Sequence, residues 1–438
     1  MKSRPRSGAG TWLTVITVAL LATTLPAHAE ILGITGPNFT LTASEGYIST
    51  PDGNSIYCWG FANGAGTMQY PGPTLIVNEG ATVSVTLNNT LTVPVSIVFP
   101  GQGPVATSNG VAGAITREAA PPPGVSTVTY TFVASKPGTY TYHSGTRTDL
   151  QVEMGLFGAL IVRPSGFDST PAGPGIAVPN PNRRAYGSSG STYDREYLFL
   201  LSEMDPDIHP LVEFGNLAAV DTTTRFPNNW FINGRCGPDT MAEANASYLP
   251  NQPYSCMPQM HPGERVLLRL IGGGLDLHPF HHHGNNTRMI AKDGRLLESV
   301  PGVSGPDLAP SDFTITVAPG ETYDAIFTWT GEKIGWDVYG HAPGDPLQPG
   351  EYAPDHGKPF PTAMPSIEVL TFGMMASGSP FLGASGALPP GEGGFNPYGG
   401  FYYMWHSHNE KEIVNNNVFP GGMLTMAAVQ PPWADIME

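Results

Sequence analysis

Charge is scarce in this 438-residue chain and basic charge scarcer still: charged residues make up 13%, with 20 basic against 36 acidic. That deficit of cations excludes nucleic acid and anionic membrane surfaces as partners, since both are held through Lys and Arg. Cysteine is scarce too. Cys58, Cys236 and Cys256 allow at most one disulfide within the chain, expected between Cys236 and Cys256, which lie 20 positions apart in a Pro/Asn-rich segment. Cys58, in the strand-like context "SIYCWGF", reads as a buried inert thiol. Long apolar runs are nearly absent. The one candidate, "TWLTVITVALLATTL", follows Lys2, Arg4 and Arg6 and precedes the small-residue stop at Ala27 to Ala29, which is the pattern of a secretory leader spanning 1–29. It is short for a membrane span and no second run follows, so a periplasmic or secreted protein without membrane insertion is expected. Removing the leader takes three of the 20 basic residues and none of the 36 acidic ones, moving the net charge from −16 to −19.

Glycine and proline are abundant, with 54 and 45 residues, and neither sits well inside helices. The stretches "TLIVNEGATVSVTLNNTL", "VSTVTYTFVASKPGTYTYHSG" and "GLFGALIVRP" between 74 and 164 alternate apolar and polar residues between turn signals, as strands of a β-sandwich do. A Pro/Gly/Ser/Asn-rich linker is expected over 165–192. Strand patterns resume with "REYLFLLSE", "ERVLLRLIGG", "DFTITVAPGETYDAIFTWTG" and "GGMLTMAAVQ", and the phrase around residues 80–88 is echoed by "GERVLLRLIG". The expected architecture is all-β, with two tandem sandwiches at 30–164 and 193–438. The second is interrupted by a Pro/Gly-rich insertion at about 341–400, which reads as a lid, an interface or a disordered segment.

Histidine is sparse, at 12 residues, yet four of them crowd into "LHPFHHHG" at 277–284. In a strand, His281 and His283 share one face and His282 takes the other. A second His-x-His pair, His406 and His408, lies in "FYYMWHSHNEKE", and His143 ends the strand "GTYTYHSG". Imidazole suits copper, zinc, iron or nickel, whereas calcium and magnesium prefer oxygen. Single histidines such as His209, His341 and His356 read as ordinary surface or core residues. Two His-x-His pairs with His278 beside them point to a metal centre.

These segments resemble the multicopper oxidase family of the cupredoxin superfamily. "YPGPTLIVNEGATVSVTLNNTL" is similar to the family's first-domain opening, "KPGTYTYHSGT" with "GLFGALIV" to its second copper motif, "HPFHHHG" to its third, and "WHSHNEKE" with "GGM" to its fourth. The resemblance implies two cupredoxin-like Greek-key sandwiches, copper as cofactor and, as in two-domain laccases and nitrite reductases, a homotrimer. Carried over by position, His278 matches a type-1 copper ligand and Met423 the axial one, His281 a type-2 ligand, and His143, His283, His406 and His408 ligands of the type-3 pair. The departures are sharp. "SIVFPGQ" puts Val98 and Pro100 where two ligands stand in the family, Gly145 replaces another, and Ser407 takes the place of the type-1 cysteine. A hydroxyl cannot supply the soft thiolate of a blue-copper centre, so that centre should be absent.

The expected function is a divergent copper-dependent oxidoreductase working at His143, His281, His283, His406 and His408, acting on a small-molecule or metal-ion substrate. Electrons would arrive directly or through Tyr402, Tyr403 and Trp405, which read first as core. Glu410, Glu412 and the asparagines of "NEKEIVNNN" either form a solvated loop or add oxygen ligands. Periplasmic copper handling without turnover and a structural role on the same scaffold stand as alternatives. A zinc hydrolase finds no obvious general base among the histidines.

Overall fold

A computed structural model describes residues 31–170, 180–335, 337–342, 344–348, 351–359, 379–380, 401–430, 432 and 436. The leader and most of the 341–400 insertion lie outside the described residues.

The alternating segments form strands whose buried positions recur every second residue, as in Thr82–Asn89 and Thr127–Val133. In the first unit, Ser55–Asn63, Asn38–Ser49, Thr82–Asn89, Thr127–Val133 and Ala106–Asn109 make a five-stranded sheet in that order. The strands Ile34–Thr35, Gly72–Asn78, Phe157–Arg163 and Gly138–His143 make a second sheet. Leu41, Val85 and Tyr130 from the first sheet share one apolar core with Leu75, Tyr142 and Leu160 from the other, which is the packing of a β-sandwich.

The second unit repeats the plan. Its sheet runs Asn229–Ile232, Arg195–Met204, Arg265–Gly272, Thr322–Thr328 and Thr287–Lys292, extended by short edge strands. Both this sheet and the five-stranded sheet pair antiparallel, parallel, antiparallel, antiparallel along their order. The two echoing phrases fall on equivalent central strands, Thr82–Asn89 and Arg265–Gly272. Facing it, Gln259–Met260, Leu424–Val429, Phe401–Ser407, His278–His282 and Thr314–Val317 form the sheet that carries the histidine motifs. The fold is all-β, with two tandem sandwiches.

The units meet through strands buried on both faces. Phe157–Arg163 is buried at every position, which accounts for the unbroken apolar run "GLFGALIV". Phe157 and Ile161 pack with Tyr70, Leu198, Leu200 and Phe231 in a cluster spanning the two units. Beside it lies a buried ion network: Arg163 and Arg269 both reach Glu196, and Arg269 lies 3.4 Å from Asp324. Asp324 also accepts from Thr139 at 2.5 Å and from Tyr186. Two guanidinium groups and two carboxylates balance, so desolvation leaves no net charge stranded.

Two expectations need correcting. Cys236 and Cys256 are not bridged; all three cysteines are free and buried. Cys256 donates to the carbonyls of Ile232 and Thr240 at 3.4 and 3.2 Å, and Cys236 to Asn415 Oδ1 at 3.4 Å, so each thiol has its own acceptor. Part of the 165–192 segment is also more than a linker. Ala185 and Tyr186 are buried with Leu267, Ile290 and Ile326 of the second unit, and Arg183 lies over the Tyr193 ring.

Glu196→Gln leaves two buried guanidinium groups short of a counter-charge and is expected to cost about 3–5 kcal/mol in urea unfolding. Glu332→Gln, which breaks the exposed pair with Lys333, should cost below about 1 kcal/mol. Equal effects would show that the inter-unit network contributes nothing special.

Candidate metal centre

The motif strands His278–His282 and Phe401–Ser407 pair antiparallel, with His281 opposite His406, Phe280 opposite Ser407 and His282 opposite Trp405. Alternation then sends Phe280, His282, Trp405 and Ser407 into the core and His281, His283 and His406 to the other face. The ring centroids of His281 lie 4.8 Å from His283, 5.4 Å from His406 and 4.7 Å from His408. His283 and His406 approach to 3.4 Å between their Nε2 atoms. His281, His283 and His406 each offer a ring nitrogen within 4.8 Å of the other two. The turn that ends the motif needs Gly284, whose φ is 99° and whose absent side chain leaves room for the Tyr403 ring.

Neighbouring groups aim these nitrogens. His406 Nδ1–H donates to the Ser407 carbonyl at 2.7 Å, which presents its Nε2 lone pair to the cluster. Thr314 Oγ1 sits 2.8 Å from Nδ1 of His281. Burial, and then the neighbouring imidazoles, push His281 down to about 4. Burial lowers His406 as well. These rings are uncharged at neutral pH, as metal ligation requires. An all-imidazole set with two Nε2 atoms 3.4 Å apart fits a transition ion with bonds of about 2.0 Å and does not fit calcium or magnesium.

His143 has the same local arrangement, its Nδ1 2.9 Å from the Ser144 carbonyl and its pKa lowered by burial. It lies in the first unit, however, and among the described residues it is not part of the imidazole group. Next to it Val98, Pro100, Phe99 and Ile115 line an apolar cavity of about 300 Å³. A side chain at Gly145 would meet Val98 Cγ1 at 2.7 Å. Val98 therefore fills the space that a side chain at position 145 would need.

His278 has a different fate from the other motif histidines. Its Nε2 lies 2.9 Å from Glu203 and its Nδ1 2.9 Å from Glu412, and all three side chains are buried. Burial alone would depress its pKa, but the hydrogen bonds and charges of the two glutamates prevail and raise it to about 9. Both ring nitrogens of His278 therefore face carboxylates and point away from the imidazole group. Ser407 donates to Glu412 at 2.6 Å, so the residue in the cysteine's place serves the same ion cluster. Met423 is fully buried, and its backbone carbonyl accepts from the Ser407 amide at 3.0 Å. Glu412 is thus neither solvated loop nor ligand to the imidazole group, and Glu410 is exposed.

Sequence reading missed Glu203 and Arg225. Glu203 closes the apolar strand Arg195–Met204 and also accepts from Arg225 at 2.5 Å and from the amides of Leu275 and Asp276. A carboxylate ending an otherwise apolar run was the available signal. His282 fills a core position, edge-on to Trp405 at 4.9 Å, and burial pushes it down to about 3.

A family model described as "Multicopper oxidase" matches residues 48–166. Laccase-1 of Cryptococcus neoformans is 27% identical over 277 residues, 61% of this chain and 38% of that protein. Copper resistance protein A of Escherichia coli is 26% identical over 291 residues, 60% of this chain and 42% of that protein. Over residues 48–166 the chain is similar to the multicopper oxidase family. It matches about two-fifths of the length of these curated relatives. The crystal structure of the blue copper oxidase from Nitrosomonas europaea shares the fold, with a TM-score of 0.54, 20% identity and coverage of 89% of this chain and 85% of that one. The chain thus has an imidazole cluster on one sheet face and, beside it, a buried ion cluster of His278, Glu203 and Glu412.

Two outcomes follow from the ion cluster. His278 has its pKa raised above the ordinary 6.5, so its contribution to stability is complete below about pH 6.5 and is lost as pH climbs through about 9. Thermal melts across that window should show a loss of roughly 3 kcal/mol; Glu203→Gln, already destabilised, should show a flatter profile, and an unchanged slope would contradict a protonated His278. Ser407→Cys should give no intense blue absorption on copper addition, because His278 remains clamped between Glu203 and Glu412. A blue band would show that the clamp yields to the metal.

Proposed function

We propose that this chain is an exported copper protein in which His281, His283, His406 and His408 hold copper, and that it works as a divergent copper-dependent oxidoreductase with dioxygen as oxidant. The observation that carries this reading is the convergence of imidazoles on one face of a two-strand register. Copper bound there would supply one-electron redox chemistry and a place for dioxygen to be reduced. The Ser407 carbonyl holds His406 in its ligating tautomer, and Thr314 orients the His281 ring. No thiolate leads away from the cluster, so a small-molecule or metal-ion reductant must deliver electrons at the face itself. That face is open: His408 is exposed, and the exposed Phe313 ring lies 5.3 Å from His281.

In this proposal His143 joins the set from another copy of the chain, as in a homotrimer. Its Nε2 is aimed as His406's is, it stands apart from the imidazole group of its own chain, and the exposed Ile115 and the apolar cavity flank it. Copper handling without turnover is the second reading. What supports it is the engagement of both His278 nitrogens by buried carboxylates, Glu203 and Glu412, at the place where the resemblance would put an electron-entry copper.

The first experiment is copper loading of the exported form, with metal analysis, optical and electron paramagnetic resonance spectra, and oxygen uptake in the presence of phenols or reduced metal ions. Copper should bind without the intense blue band, and His283→Ala/His406→Ala should lose most of it. Retention of copper by the double variant would overturn the assignment, and copper binding with no oxygen uptake would favour the handling role. A monomeric mass with unimpaired copper binding would remove His143 from the site.

A further inference from the structure

A second group of ligand-type side chains lies at the start of the insertion, sharing no residue with the imidazole cluster. Asp337, His341, Glu351 and His356 bring one donor atom each within 4.8 Å of the others. The closest approaches centre on two nitrogens and two oxygens. His341 Nδ1 lies 2.8 Å from Asp337 Oδ2 and 3.4 Å from Glu351 Oε1; His356 Nδ1 lies 2.8 Å from Glu351 Oε1 and 4.0 Å from Asp337 Oδ2. Donors around a four-coordinate ion with bonds of about 2.0–2.1 Å stand about 3.3 Å apart. The four separations bracket that value.

The surroundings orient the donors as a metal site requires. Asp337 accepts from the amides of Tyr339 at 2.9 Å and Gly357 at 2.7 Å, and Glu351 Oε2 from the amide of Gln348 at 2.8 Å. His356 Nε2–H donates to the Asp345 carbonyl at 3.0 Å, so a neutral ring turns its Nδ1 lone pair toward the Glu351 oxygen. Lone pair facing lone pair at 2.8 Å requires a cation between them: either a second proton on His356 or one shared ion. An imidazolium at His356 leaves one of the two carboxylates uncompensated, whereas one dication neutralises both and leaves the two rings, with centroids 4.6 Å apart, uncharged. The carboxylates and His341 are nearly shielded from solvent, which sharpens that preference.

We propose that Asp337, His341, Glu351 and His356 form a structural, four-coordinate site for a divalent transition ion of the zinc class, clasping the start of the insertion to the second sandwich. The anchor on the sandwich side is Val338, buried in the second core next to Asp337. The clasp spans the loop between Asp337 and His356, whose ends are also tied by the Asp337 amide to the Lys358 carbonyl at 3.0 Å. An N₂O₂ set of two imidazoles and two carboxylates suits zinc and its neighbours and is too nitrogen-rich for calcium or magnesium.

The test uses the full chain stripped with chelator, titrated with Zn(II) and separately with Co(II), followed by metal analysis after gel filtration. His283→Ala/His406→Ala should keep one zinc per chain, give the strong ligand-field absorption of four-coordinate Co(II), and melt at higher temperature with zinc than without. In that same background Glu351→Gln, which preserves size and the Gln348 hydrogen bond, and His356→Gln should each weaken zinc by more than roughly tenfold. Overturning results are zinc stoichiometry indifferent to both substitutions, weak six-coordinate Co(II) spectra, or no zinc on folded protein. Because the imidazole cluster is disabled in the test background, these outcomes do not depend on whether that cluster binds copper.

Discussion

The register between His278–His282 and Phe401–Ser407 is the constraint on which the centre depends. Opposing His281 to His406 puts every ligand-type ring on one face and every core ring, Phe280, His282 and Trp405, on the other. A slip of one residue would exchange the faces, burying imidazoles and exposing tryptophan. The core contacts of Trp405 with Phe199 and Phe327 hold the register, so hydrophobic packing on one side of the sheet positions chemistry on the other.

Histidines in one short motif meet opposite electrostatic fates. His281 sits among other imidazoles on a partly buried face and gives up its proton readily; His278, three residues earlier, is sandwiched between two glutamates and keeps it. The first state is ready for a metal and the second replaces one. The His278 ring lies between Glu203 and Glu412, and Glu203 is tied onward to Arg225, so positive charge is held among buried carboxylates. Ser407, Glu412, His278 and Glu203 form one hydrogen-bonded network, and Val98 and Gly145 fit each other sterically.

The two sandwiches are joined by similar logic. Apolar strands buried on both faces supply the contact area, and Arg163, Glu196, Arg269 and Asp324 fix its geometry through charges that are costly to leave unmatched. The segment after the first unit packs Tyr186 onto Asp324, which is why a composition that reads as linker became part of the core.

The sequence by itself determined the strands, the tandem arrangement and the pairing of His281 with His283 and of His406 with His408, because period-two alternation and His-x-His spacing are local properties that any strand expresses. Tertiary structure decided what no local pattern encodes: that Glu203, 75 positions before His278, takes its nitrogen; that Cys236 and Cys256 find separate acceptors; that His341 and His356 meet two carboxylates. Protonation and ligand-set membership depend on neighbours brought from far along the chain, and only folding supplies them.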